Sequence, residues 1–228
     1  MWDTERIPRC RFSPARESRP SGPSPVTLPS RTGGILGASA PFIGQETFMD
    51  VLRKKKGFIC DMDGVIYHGN ALLPGVREFV LWLSKEKKNY LFLTNSSQHT
   101  PKELQQKLAR MGLDVDESHF YTSALATACF LDSQAPGCSA YVVGEHGLLN
   151  ALYDRGITYN DVNPDYVVVG EASTYNLEQI TKAIRLVDAG AKLIGTNYDL
   201  TAPSETGIVP ACRALIAPIE LATGKSAY

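Results

Sequence analysis

From Val51 to Tyr228, short apolar runs alternate with longer segments whose apolar positions recur with a helical period. Phe58–Cys60, Tyr90–Leu93, Phe120–Ser123, Tyr141–Val143, Tyr166–Val169 and Lys192–Ile194 read as strands, the first two of them buried. Val76, Phe79, Val80 and Leu83 make one sheet-covering helical stripe, and Leu177, Ile180, Ile184 and Val187 another. Thr100-Pro-Lys-Glu103 is a capping box with Pro at the first helical position, opening a helix that carries Leu104, Leu108 and Met111. Further helices are expected over Ala124–Leu131, Leu148–Tyr153 and Ala211–Ala222. Strands alternating with helices predict parallel sheets in an α/β fold. Ala135-Pro-Gly-Cys138 interrupts the pattern and divides it into two blocks, 49–134 and 135–228.

Residues 1–48 show neither period. They are rich in Pro, Gly, Ser and Arg and poor in acids, so they cannot bury enough apolar surface to offset their ordering entropy. The expectation is a disordered extension. Its composition weakly resembles an organelle transit peptide; an upstream start before Met49 explains it equally well. The rest of the composition, 43% hydrophobic and 21% charged, is that of an ordinary soluble globular chain. A net charge of −1 gives no electrostatic reason to expect nucleic acid or an anionic membrane as partner. No apolar run approaches the roughly 18 residues that span a bilayer. The five cysteines are scattered, without a Cys-x-x-Cys pair, so a zinc site is not expected and a reducing, cytoplasmic compartment fits.

Two places carry chemistry. Asp61 and Asp63 follow the first strand, and Gly64 then lets the backbone turn. Carboxyl ends of parallel strands are where open α/β sheets bind ligands. Two carboxylates spaced by one residue point the same way, so one can act as nucleophile while the other moves a proton. A hard cation such as Mg²⁺ can be held by both. Taken alone, Asp-x-Asp-Gly also fits a plain turn or part of a calcium loop. At the next strand end, Thr94, Asn95 and Ser96 offer a hydroxyl, an amide and backbone N–H groups to phosphate oxygens; the bland reading is a turn and helix cap. Neighbouring parallel strands would bring both loops to one edge of the sheet.

Asp61-Met-Asp-Gly-Val65, Leu93-Thr-Asn-Ser96, Phe120-Tyr-Thr-Ser-Ala124, Asn163-Pro-Asp-Tyr-Val-Val-Val-Gly-Glu171 and Gly195-Thr-Asn-Tyr-Asp199 together resemble the haloacid dehalogenase superfamily of phosphatases, in its NagD-like branch. The resemblance covers about Val51 to Tyr228. It implies a Rossmann-like core, of which this chain holds the N-terminal half, and an inserted α/β cap domain over 135–228. It implies Asp61 as the nucleophile, Asp63 as general acid/base, and Thr94, Asn95 and Ser96 as phosphate binders. Asp61 and the Asp63 backbone would ligate Mg²⁺. In the cap, Asn197 and Asp199 would reach the substrate; a simple strand-to-helix turn is the competing reading of that loop. The implied substrate is a small phosphorylated metabolite, such as a nucleotide monophosphate or sugar phosphate, and a cap-mediated homodimer is compatible with it.

The family pattern continues past the cap with a Gly-Lys-Pro segment and a Gly-Asp motif, whereas this sequence ends at Gly224-Lys-Ser-Ala-Tyr228. Lys225 belongs to the end of the cap and does not match the family's phosphate-binding lysine. The expectation is a truncated or alternatively spliced product, or an incomplete gene model, with an open edge at its first strand and little activity alone. The alternative is a catalytically silent α/β protein that binds a phosphorylated ligand or a partner. A phospho-accepting receiver domain would share the strand-end Asp but has no use for the second block.

Overall fold

The structure, a computed structural model, describes residues 48–204 and 207–228 of the 228-residue chain. The described residues fall into two units, divided after Lys54. In the first, helix α1 spans Phe48–Arg53, with Asp50 and Arg53 ion-paired at 3.7 Å across one turn. The extension expected over 1–48 lies, apart from Phe48, outside the described residues.

The second unit opens with β1 (Gly57–Asp61), a small hairpin of β2 (Tyr67–His68) and β3 (Ala71–Leu72), and helix α2 (Val76–Lys85). β4 (Asn89–Thr94), α3 (Pro101–Arg110), β5 (Phe120–Thr122) and α4 (Ser123–Gln134) follow. β1, β4 and β5 form a parallel sheet in that order. Val76, Val80, Leu104 and Leu108 of α2 and α3 bury one face of it against Phe92, Phe120 and Met62. Phe58 packs edge-on to Phe79 and Trp82, with ring centres 5.8 and 5.6 Å away. The opposite face is open: Ile59 is 73% exposed. The buried strand expected at Phe58–Cys60 is therefore an edge strand covered on one face only, and Phe58 and Cys60 are half-buried.

The remaining elements build a second sheet. They are β6 (Ser139–Val143), α5 (His146–Asp154), β7 (Thr158–Tyr159), β8 (Tyr166–Val169), α6 (Leu177–Asp188) and β9 (Lys192–Gly195). A hairpin of β10 (Thr201–Ser204) and β11 (Gly207–Pro210) precedes α7 (Cys212–Thr223). The four-stranded parallel sheet runs β7-β6-β8-β9. Its strands alternate as a sheet covered on both faces must. Val167 and Val169 pack with Val187, Leu215 and Ile216 of α6 and α7. Tyr166 and Val168 pack with Leu148 and Ala151 of α5 and with Ala124, Ala128 and Leu131 of α4. α4 thus leaves the first sheet and buries its apolar side on the second, tying the two together.

Local signals explain the helix starts. Thr100 Oγ1 accepts the Glu103 N–H at 3.2 Å while Glu103 Oε2 accepts the Thr100 N–H at 2.8 Å, the reciprocal capping box that the sequence predicts. Asn176 caps α6 by accepting the Gln179 N–H at 3.0 Å. β2, β3, β7 and the β10–β11 hairpin were not predicted: a two-residue strand has no readable period, and Pro203 and Pro210 disguise the hairpin as loop.

Gly147, in the first turn of α5, sits against the loop that precedes α3. Its N–H donates to the Gln98 carbonyl at 3.1 Å, and a Cβ there would fall 2.6 Å from that oxygen. Helix propensity alone would make Gly147→Ala stabilising by about 1 kcal/mol. The close approach reverses the sign, and an overpacking cost of about 1–3 kcal/mol is expected in a denaturant midpoint. A more stable variant would contradict this contact.

Candidate functional site

Met62 is fully buried beneath the first sheet, and strand alternation therefore turns its neighbours Asp61 and Asp63 outward, where both are exposed. Asp61 Oδ1 accepts the Met62 N–H at 2.9 Å. Gly64 takes φ +78°, a left-handed turn, and its N–H donates to the Tyr67 carbonyl at 2.8 Å. The turn brings the Tyr67 phenol to Asp63, and burial together with the Asp63 charge and hydrogen bond pushes that phenol far above its ordinary pKa. Tyr67 is held neutral against the carboxylate.

Register places the second loop beside the first. Cys60 pairs with Phe92 and Asp61 with Leu93, so Thr94 emerges one residue beyond Asp61 on the adjacent strand. Thr94 is 4% exposed, and its Oγ1 accepts the Ser96 N–H at 3.1 Å. An accepting hydroxyl keeps its own proton to donate. Asp63, Thr94, Asn95 and Ser96 all line one cavity of about 300 Å³. Tyr67 and Lys107 complete this wall, with the Lys107 ammonium 3.9 Å from the Tyr67 ring centre. The facing wall is Glu171 and the β10–β11 hairpin. Asp61, the last residue of β1, is not among the lining residues.

The loop Asn95–Gln98 is bound into the second sheet. Ser97 is wholly buried; its N–H donates to Glu171 Oε2 and its Oγ accepts the Glu171 N–H, each at 3.1 Å. Asn197 Nδ2 donates to the Asn95 carbonyl at 2.8 Å and to Glu171 Oε1 at 2.9 Å. The Asn95 amide donates to Asp199 Oδ2. Asn197 and Asp199 of the Thr196–Asp199 loop both bond to Asn95. Glu171, Ser97, Tyr67 and Lys107 had no assigned role from sequence. Glu171 carried the best signal, a carboxylate directly after the apolar run Tyr166–Val169 and Gly170.

Lys225 lies elsewhere: its Nζ donates to the Val187 and Asp188 carbonyls at 2.5 and 3.2 Å, closing the C-terminal end of α6. For a metal, Asp61 and Asp63 present hard oxygen donors on one exposed turn, a donor set that fits Mg²⁺ better than a softer ion. The described residues also bring His99, Glu103 and His146 together at the starts of α3 and α5.

Glu171 accepts from two N–H donors at once, which a carboxylate can do and an amide of either orientation cannot. Glu171→Gln should therefore cost about 1.5–3 kcal/mol, as for hydrogen bonds to a charged group, although the shape is unchanged. Equilibrium urea unfolding measures it; a change under 0.5 kcal/mol would mean that the joint is not held by this carboxylate.

Comparison with known proteins bears on the same residues. A family model described as haloacid dehalogenase-like hydrolase matches residues 58–158. A dihydroxyacetone phosphatase of Corynebacterium glutamicum (strain R) is 44% identical over 171 residues, 75% of this chain and 62% of that protein. The ribonucleotide monophosphatase NagD of Escherichia coli (strain K12) is 44% identical over 173 residues, 76% of this chain and 68% of NagD. The chain thus spans a little under two thirds of the length of the first relative. Among solved structures, NagD from E. coli K-12 superposes with a TM-score of 0.70 at 43% identity, covering 76% of this chain and 68% of NagD. A 4-nitrophenylphosphatase from Thermotoga maritima gives 0.74 at 34% identity, covering 78% and 68%. The chain belongs to the haloacid dehalogenase-like hydrolases, in the branch that includes NagD.

Proposed function

We propose that this chain carries the phosphate-binding and nucleophilic half of a phosphatase acting on small phosphomonoesters. The observation that carries the reading is the parallel register of β1 and β4, which sets Asp61 beside Leu93 and leads Thr94, Asn95 and Ser96 into the cavity that Asp63 lines. Lys107 adds positive charge to that wall, and transfer of a phosphoryl group depends chiefly on positioning and charge neutralisation. The relatives' names support the substrate class: dihydroxyacetone phosphatase, ribonucleotide monophosphatase and acid sugar phosphatase all denote enzymes of small phosphate esters.

In this reading an Asp61 carboxylate oxygen attacks phosphorus and the ester oxygen departs, taking the proton from Asp63. Water then attacks the phosphorus of the aspartyl-phosphate, giving its proton to Asp63 and restoring Asp61 as inorganic phosphate leaves. Thr94 donates its hydroxyl proton to a phosphoryl oxygen, and Tyr67 orients the Asp63 carboxyl. Asp61 and Asp63 would hold Mg²⁺, which supplies neutralisation of the phosphate charge. Glu171 and the β10–β11 hairpin bound the substrate from the other side, and Asn197 and Asp199 act by fixing the Asn95 loop.

The test is release of inorganic phosphate from a panel of sugar phosphates and nucleoside monophosphates, with Mg²⁺ and with chelator. Asp61→Asn is expected to lower kcat at least about 10³-fold, and Thr94→Ala about 10²-fold, the usual scale for losing one donor to developing charge. Chelation should abolish turnover. Activity that survives Asp61→Asn, or binding of the esters without any Mg²⁺-dependent release, would overturn the proposal.

A further inference from the structure

We infer that His99, Glu103 and His146 form a binding site for one divalent transition-metal ion of the Zn²⁺ class, joining the starts of α3 and α5. One ligand atom from each of the three lies within 4.8 Å of the other two. Glu103 Oε1 and His146 Nε2 already meet at 2.6 Å. A tetrahedral Zn²⁺ with bonds of about 2.0–2.1 Å needs ligand atoms about 3.3 Å apart. Binding would open that contact and draw in the exposed His99 ring to this spacing.

Three features make this more than a chance meeting of polar groups. Glu103 is held by its other oxygen: Oε2 accepts the Thr100 N–H at 2.8 Å and lies 3.0 Å from the Thr100 hydroxyl, leaving Oε1 aimed at the imidazole. Such outer hydrogen bonds orient a ligand before the metal arrives. The backbone fixes the distance between the two histidine-bearing segments, because Gly147 leaves no room for a Cβ against Gln98 and His99. Finally, a second carboxylate stands close to the two histidines. Glu145, hydrogen-bonded to Ser173 at 2.7 Å, feels both His99 and His146 and adds a second carboxylate to Glu103.

Two imidazoles and one carboxylate select a borderline transition ion over Mg²⁺, which favours an all-oxygen shell. Three protein ligands leave a fourth position for water. His99 also lines the cavity, so the ion would sit in its wall, apart from the Asp61 and Asp63 carboxylates. Because α3 covers the first sheet and α5 the second, the ion would staple the two together.

The experiment uses the full chain carrying Asp61→Asn and Asp63→Asn, which removes the other carboxylate pair and makes the result independent of any phosphatase activity. After chelator treatment and dialysis, Zn²⁺ is titrated by calorimetry and Co²⁺ by visible absorption. One equivalent is expected, with a Co²⁺ ligand-field band typical of four or five ligands and a Zn²⁺-dependent rise in Tm. Adding His99→Gln and His146→Gln, both exposed positions, should weaken Zn²⁺ at least 100-fold and remove the band and the Tm shift; circular dichroism checks that this variant folds. Thr100→Ala should weaken Zn²⁺ about 10-fold by freeing Glu103. Absence of one-to-one binding in the parent would overturn the inference, and so would equal affinity in the double histidine variant. Either result would leave His146 and Glu103 as an ion pair only.

Discussion

The reciprocal pair of hydrogen bonds between Ser97 and Glu171 is the joint on which the rest of the site depends. Ser97 belongs to the loop after β4 and Glu171 to the loop after β8, so each sheet contributes its strand end to the other. Both residues are buried, and a buried N–H or carboxylate without a partner costs a few kcal/mol. The two bonds therefore form together or are lost together. Gly170 fits the same constraint: a Cβ there would fall 2.5 Å from Ser97 Oγ. With Gly147 against Gln98, the loop Asn95–His99 is gripped from two sides by glycines whose only function there is to leave space.

That grip decides what the strand ends can do. Thr94 comes directly before the clamped segment, so its hydroxyl is directed by β4 on one side and by the Ser97–Glu171 joint on the other. Asp63 is set by a different device, the buried Met62 next to it and the left-handed turn at Gly64. The two devices meet because β1 and β4 are neighbours in parallel register. A second sheet attached this way defines one wall of the cavity with Glu171 and the β10–β11 hairpin while fixing the loop that forms the other. The cost is that Asn95, an evident phosphate donor from sequence, spends its amide on Asp199.

Much of this was legible in the residues. Parallel pairing followed from strand–helix alternation, the capping box from Thr100 and Glu103, and the common cavity for Asp63 with Thr94, Asn95 and Ser96 from two loops following neighbouring strands. What stayed hidden was set by tertiary contacts that no local period encodes. Ile59 has the composition of a core residue, yet its face of β1 is bare. Glu171 looks like a solvated turn residue until Ser97 is placed beside it. Lys107 lies on a helix whose apolar stripe says only which side is buried, and Tyr67 reads as core while its hydroxyl tip reaches Asp63. His99 and Glu103 are one helical turn apart, but His146 is distant in sequence, and only the contact between the first turn of α5 and the loop before α3 brings it to them.

The central claim is that the ends of β1 and β4 grip one phosphoryl group between the Asp61–Asp63 turn and Thr94. A crystal structure of the chain grown with Mg²⁺ and orthovanadate tests it most directly. The account requires vanadate within hydrogen-bonding distance of Thr94 Oγ1, with an Asp61 carboxylate oxygen next to vanadium. Vanadate bound elsewhere, or Asp61 and Thr94 too far apart to touch one oxyanion, would contradict it.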